Sequence, residues 1–246
     1  MQLIHFLEDG NSRIGVKTQR GMLHLEKAAK TLSLPFPATI DDVLKDKVKA
    51  AQLAAILAKS DELTDAALYV SEDTLTFLPI LSYPGKIICI GKNYRAHVAE
   101  INSEIPKEPF VFSKFRNALA AHNEPIPIPA NASHVDYEAE LVVVIGGTIS
   151  HVKPEDALNY VAGYTIGNDV SARDWQHLSS QWLLGKTADK FAPIGPIFTT
   201  AGDIIFTGTP DGVILGYPKE EKVWLKAGDS TEVTIEGLGT LVNTFK

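Results

Sequence analysis

The 246-residue chain has one cysteine, two methionines, no run of basic residues and no apolar stretch long enough to span a bilayer. Each shortage excludes something. A lone cysteine, Cys89, cannot close an internal disulfide, which points to a reducing compartment. Its place in the apolar run KIICIG marks it as a core residue. With 23 Lys and Arg against 30 Asp and Glu, the net charge is -7, and no basic patch is offered to nucleic acid or to an anionic membrane. The N-terminus reaches Glu8 and Asp9 before any apolar segment of signal length. These absences predict a cytoplasmic protein with no nucleic-acid partner and no membrane partner, acting on a small soluble ligand.

What is present is a globular composition, 45% hydrophobic and 22% charged, suited to one large domain with or without a small appendage. Residues 1–82 read as a small N-terminal α/β appendage. They open with a short strand pair, MQLIHFLEDGNSRIGVKTQRGMLHL, and continue into DDVLKDKVKAAQLAAILAK. There Val43, Leu44, Val48, Ala51, Leu53, Ala54, Ile56 and Leu57 recur at roughly helical spacing, with Asp41 or Asp42 placed to cap the start. Pro and Gly in SYPGK punctuate the boundary. Residues 83–246 form the main domain, where short strand-like runs such as ELVVVIG, GDIIFTG and STEVTIEG predominate. HNEPIPIPANASH reads as an extended loop leading into the next feature.

That feature is DYEAELVVVIGG, Asp136 to Gly147. Residues two apart on a strand share a face, so Asp136, Glu138 and Glu140 lie on one side, and Val142 and Val144 continue it into the core. Carboxylates carried to the edge of a core need a partner. Asp169, at the end of GYTIGNDV, is placed to join Glu138 and Glu140. Three carboxylates from two strands suit a hard cation, Mg²⁺ or Mn²⁺. The bland alternative is that Glu138 and Glu140 pair with lysines on an exposed edge.

In GKNYRAHVAE, a helix would bring His97 and Glu100 together, a spacing at which a carboxylate orients an imidazole for general base work; a surface His beside a Glu is the alternative. NDVSARDWQ and LLGKTAD supply Arg173, Gln176 and Lys186, an anchor set for a substrate carboxylate, although Arg173 and Asp174 also suit a structural ion pair. GDIIFTGTPDGV empties a strand into a turn where Thr209 can offer its hydroxyl to an anion or serve only the turn.

In this order, from Lys86 to the C-terminus, KIICIGKNYRAHVAE, PFVFSK, VDYEAELVVVIG, GYTIGNDVSARDWQ, GKTADKFAPIGP, GDIIFTGTPDGV, LKAGD and GTLVN resemble the fumarylacetoacetate hydrolase family. The resemblance implies an α+β, mainly β fold with a rolled β-sandwich or barrel core. It implies a divalent metal, Mg²⁺ or Mn²⁺, on Glu138, Glu140 and Asp169, catalysis by His97, Glu100 and Lys186, and substrate contacts from Arg173, Gln176 and Thr209. It also implies a homodimer and a small 2-oxo acid substrate whose C–C bond is cleaved, by acylpyruvate hydrolysis or oxaloacetate-type decarboxylation. An isomerase or decarboxylase of a 2-hydroxy-dienoate dicarboxylate and an inactive metal-binding relative are the alternatives. One departure stands out: family members carry several tens of residues between the segments that here end at Phe198 and resume at Gly202.

Overall fold

A computed structural model describes residues 2–197 and 203–246. The short connection from Phe198 to Gly202 lies outside the described residues. The chain starts with a hairpin dictated by its turn. β1 (Gln2–Glu8) and β2 (Asn11–Thr18) pair antiparallel from Glu8↔Asn11 to Gln2↔Lys17. Asp9 and Gly10 join them at φ 51° and 74°, the positive pair that lets a two-residue Asp-Gly turn follow the strand twist. β3 (Gly21–His24) adds to β2, and α1 (Leu25–Leu32) buries Leu25, Ala28 and Ala29 on one face.

The stretch read as one helix is two, α2 (Ile40–Lys45) and α3 (Lys47–Leu57). Asp46 divides them, because it leaves helical geometry at the end of α2 and its carboxylate accepts from Val48 N–H to cap α3. Neither expected aspartate caps α2 itself. Thr39 does, with Asp42 returning the bond to Thr39 N–H in a capping box. Asp41 is buried and accepts the N–H groups of Ser82 and Tyr83, tying the helix to the SYPGK boundary. β4 (Tyr69–Val70) and β5 (Thr76–Phe77) complete a five-stranded sheet in the order β4-β3-β2-β1-β5.

The second half is strand-rich, as expected. β6 (Ile87–Gly91) leads through α4 (Arg95–Glu100) to β7 (Phe110–Lys114). Then come β8 (Leu119–Ala120), β9 (Val135–Asp136), β10 (Ala139–Ile145), β11 (Val161–Asn168) and β12 (Ser171–Ala172). Two short helices follow, α5 (Arg173–Gln176) and α6 (Leu183–Lys186), then β13 (Ala192–Pro193), β14 (Asp203–Phe206) and the hairpin of β15 (Ser230–Ile235) and β16 (Gly239–Thr244). The central sheet runs β11-β10-β14-β6-β7, with β14 parallel to β6 and the other neighbours antiparallel. The core is the curled, mixed sheet that the resemblance implied.

Cys89 is buried, as its apolar setting predicted. Leu3, Leu23, Ile40 and Leu53 from the first half share one apolar cluster with Ile87, Val142, Ile204 and Phe206 from the second. Each such side chain, fully buried, contributes about 1.5–3 kcal/mol. The SYPGK segment therefore separates the sheets without separating their core. No helix among the described residues is long and apolar enough to cross a membrane.

Candidate active site

Strand register builds the acid cluster. Glu140 pairs with Gly167 and Ala139 with Asn168 as β10 runs antiparallel to β11. Asp169, the next residue, thereby meets Glu138: Asp169 N–H donates to Glu138 O at 2.9 Å and Glu138 N–H to Asn168 Oδ1 at 3.0 Å. Along β10 the buried residues alternate, Glu140, Val142 and Val144, so Glu140 does lead the face into the core, but the expected single strand is divided: Asp136 ends β9 and Glu138 lies between β9 and β10. Glu138, Glu140 and Asp169 are all buried, with one oxygen from each within 4.8 Å of the others.

Three buried cations brace this cluster. β12 pairs with β9, Ser171 opposite Asp136, which delivers Arg173. Its Nε donates to Asp136 Oδ2 at 2.9 Å, its Nη2 lies 2.6 Å from Glu138 Oε1, and its Nη1 donates to Gln176 Oε1 at 3.0 Å. Asp136 is a fixed anchor that also accepts the N–H groups of Ile214 and Leu215. Asp174 turns away to Ser133, so the alternative pairing of Arg173 with Asp174 does not form. Lys186 Nζ bridges Glu138 Oε2 at 2.9 Å and Asp169 Oδ2 at 2.8 Å. It reaches them because Gly185 lets α6 lie against α5; a Cβ there would stand 2.5 Å from Gln176 N.

The third cation, Lys114, is one the sequence reading missed. Its Nζ lies 2.5 Å from Asp169 Oδ1 and donates to Val170 O and Phe191 O. A signal existed: Phe110, Phe112 and Lys114 alternate on the inward face of β7, and a lysine continuing an aromatic stripe into a core requires an anion there.

The electrostatics single out Glu140. Burial alone would raise Glu138, but the charges of Lys186 and Arg173 outweigh it and hold its carboxyl far below the usual range. For Lys186 burial likewise acts downward, and Asp169 and Glu138 reverse it, leaving the amine above its ordinary value. Lys114 goes the other way, because its burial outweighs the attraction of Asp169. Glu140 is pushed well above the ordinary carboxyl value by burial, then by Asp169 and Glu138. Its carboxylate accepts Gly208 N–H at 2.7 Å and joins no ion pair among the described residues. Four buried carboxylates, Asp136, Glu138, Glu140 and Asp169, thus face three cations. Asp169 Oδ1, although beside Lys114, receives no well-formed hydrogen bond. An excess carboxylate, an under-served buried oxygen and an all-oxygen donor set fit a divalent cation.

Two of these acids, Glu138 and Glu140, line a cavity of about 450 Å³ that is also lined by His97, Glu100, Gln176 and Thr209. α4 buries His97 and brings its Nδ1 to 3.3 Å from Glu100 Oε2. Glu100 Oε1 is fixed in turn by Gly212 N–H at 2.9 Å. A Cβ on Gly216 would collide with the Glu100 side chain, so glycine there makes room for the acid. With Nδ1–H directed at the carboxylate, the imidazole keeps its lone pair on Nε2. Thr209 follows Gly208, whose N–H holds Glu140, at the end of the segment leaving β14. All nine expected residues are therefore brought to one place, and Lys114 and Asp136 join them as supports.

Comparison with known proteins agrees. The model of the fumarylacetoacetate hydrolase C-terminal family matches residues 86–201 and 199–246. The two matches meet where the sequence resemblance placed the missing segment. The mitochondrial oxaloacetate tautomerase of Xenopus laevis is 34% identical over 294 positions, covering 99% of this chain and 89% of that one. A fumarylacetoacetate hydrolase from psychrophilic Exiguobacterium antarcticum superposes with a TM-score of 0.79 at 28% identity, covering 100% of this chain and 99% of that one. The fumarylpyruvate hydrolase of Pseudomonas aeruginosa, solved with Mn²⁺ and pyruvate, gives 0.56 at 26% identity over 65% of this chain and 88% of that one. By sequence, by fold and by the residues gathered in its cavity, this chain belongs to the fumarylacetoacetate hydrolase family.

Proposed function

We propose that the protein is a divalent-metal-dependent enzyme that moves a proton at the carbon beside the carbonyl of a small 2-oxo acid, interconverting its enol and keto forms. The observation that carries this reading is a single cavity lined both by Glu138 and Glu140 of the carboxylate cluster and by the His97–Glu100 pair. An Mg²⁺ or Mn²⁺ ion at Glu138, Glu140 and Asp169 would draw charge from the 2-oxo oxygen and favour the enolate. Arg173 and Lys186 keep Glu138 ionised and aimed, and Lys186 also holds Asp169 Oδ2 in place. His97 Nε2 takes the proton from the substrate carbon and returns it, while Glu100 holds the ring and offsets the positive charge it gains. Gln176 and Thr209 present polar atoms to the substrate carboxylate.

The named activity of the frog relative, oxaloacetate tautomerase, supports proton transfer ahead of the C–C cleavage that the sequence alone put first. Cleavage is the second reading, supported by the hydrolase neighbours. Breaking the C–C bond beyond that carbon instead leaves the enolate of the shortened 2-oxo acid, which the same ion would stabilise, with His97 activating water when the departing carbon is a carbonyl. The relative is described as mitochondrial, so a mitochondrial setting stands beside the cytoplasmic one, and the homodimer is part of the proposal.

Product balance separates the two readings. Oxaloacetate enol is followed by ultraviolet absorbance while pyruvate is trapped by a coupled dehydrogenase. Tautomerisation predicts enol loss well ahead of pyruvate release; pyruvate formed mole for mole with enol loss would replace it with decarboxylation.

A further inference from the structure

Asp136, Tyr137 and Glu138 are consecutive, and each grips a different part of the site. Glu138 belongs to the carboxylate cluster. Tyr137 donates its hydroxyl to Gly212 O at 2.9 Å. Asp136, fully buried, joins the two: its Oδ1 accepts Tyr137 N–H and Ile214 N–H, each at 2.9 Å, and its Oδ2 accepts Leu215 N–H at 3.1 Å and Arg173 Nε at 2.9 Å. Among the described residues Arg173 and Leu215 line the cavity and Asp136 does not.

Two chains of contact leave this carboxylate. One runs through Arg173, whose Nη2 lies 2.6 Å from Glu138 Oε1 and whose Nη1 donates to Gln176 Oε1 at 3.0 Å. The other runs through residues 212–217. Gly212, at φ 103°, donates its N–H to Glu100 Oε1 at 2.9 Å, and Gly216 packs so closely on Glu100 that a Cβ there would collide with its side chain. Glu100 in turn holds His97. The carboxylate cluster therefore sits at the end of the first chain and the acid–base pair at the end of the second. A carboxylate accepts on both oxygens, so one buried side chain serves a guanidinium and a loop backbone at once.

We propose that Asp136 is a positioning residue that holds the carboxylate cluster and the His97–Glu100 pair in register with each other. The inference rests on the reading of the cavity as a 2-oxo acid site and adds the residue that aligns its two halves. The effect of Asp136 passes through Arg173 and through the backbone of residues 212–217, not through contact with substrate.

The test is Asp136→Asn, which keeps the shape but replaces one acceptor oxygen by an amide N–H₂ that must face two N–H donors whichever way it turns. Hydrogen exchange read by mass spectrometry needs no turnover: exchange should rise about tenfold in peptides covering residues 212–217 and several-fold in those covering α4, with the β1–β2 hairpin unchanged as the sign of an intact fold. Mn²⁺ affinity by calorimetry should fall about tenfold, because Arg173 loses its anchor. At saturating Mn²⁺, kcat for enol conversion should fall about tenfold or more with KM within about twofold. In a Glu100→Gln background the same substitution should cost little further, since both act on His97 by one route. Tyr137→Phe, which removes the hydroxyl that reaches Gly212 O, should lower kcat with Mn²⁺ affinity unchanged. A folded Asp136→Asn whose faster exchange stops at residues 212–217, or whose kcat loss is undiminished beside Glu100→Gln, overturns the inference; if that variant does not fold, a Tyr137→Phe enzyme with wild-type kcat does so. Absence of enol conversion by the wild type overturns the 2-oxo acid reading instead, and the exchange and Mn²⁺ measurements then decide the inference.

Discussion

The two sheets of this protein treat buried polarity in opposite ways. In the first half, His5, His24 and Asp41 are buried, and each is answered locally. His5 is held between Ser12 Oγ and Pro79 O, His24 by Glu8, and Asp41 by the backbone of Ser82 and Tyr83. In the second half, seven charged side chains, Lys114, Asp136, Glu138, Glu140, Asp169, Arg173 and Lys186, are buried together beside a cavity. A fold does not need that many, since burying charge costs several kcal/mol per ion before pairing offsets it. The first half spends polar residues on shape and the second on chemistry. Their shared apolar cluster makes the first a platform for the second.

The comparison breaks most visibly at Glu140. Because no cation among the described residues pairs with it, Glu140→Ala should leave the metal-free fold standing, lower Mn²⁺ affinity by about 100-fold or more, and reduce enol conversion to background. Unchanged Mn²⁺ binding in a calorimetric titration would remove the triad from the account. His97→Ala should lower the enol conversion rate about 10²–10⁴-fold, the usual worth of a positioned acid–base group, with Mn²⁺ affinity intact. A variant with the wild-type rate would return His97 to the structural role that a surface His beside a Glu suggests.

Next in size is a pair of substitutions, one in each half. Lys114→Met leaves Asp169 buried with one cation fewer and should cost about 3 kcal/mol in denaturant unfolding. His5→Leu strands only Ser12 Oγ and Pro79 O, and should cost about 1–2 kcal/mol without touching Mn²⁺ binding. Equal losses would erase the distinction between the halves. The smallest effect is on acid stability. Glu8, through its hydrogen bond from His24, and Glu26, through Lys30, have carboxyl pKa values below the ordinary range. Groups lowered on folding contribute stability above the unfolded carboxyl value and lose it as pH falls through the folded one. A modest, salt-sensitive fall in melting temperature below about pH 4.5 is expected, and Glu8→Gln with Glu26→Gln should flatten it.

Much of the site was legible because it follows strand period. Glu140 in β10, Glu138 just before it and Asp169 just after β11 need little beyond the antiparallel pairing of those two strands to meet. His97 and Glu100 needed only a helix. Lys114 was legible in principle, as the last inward position of FVFSK, but a lone lysine at a strand end reads as solvated until its neighbours are known. The break between α2 and α3 was hidden because Asp46 has ordinary helical neighbours, and only its capping bond reveals the boundary. Long-range pairing was not legible at all. Nothing local in GDIIFTG says that β14 lies parallel to β6, yet that placement sets Gly208 against Glu140.

The most direct test of the central claim is the decay of oxaloacetate enol absorbance with this 246-residue chain, first with Mn²⁺ and then with excess chelator. Decay above the metal-only background that stops on chelation is the predicted result, and it would also show that the short Phe198 to Gly202 connection is compatible with a working site. Decay that continues unchanged in chelator would contradict the assignment of Glu138, Glu140 and Asp169 to a metal ion.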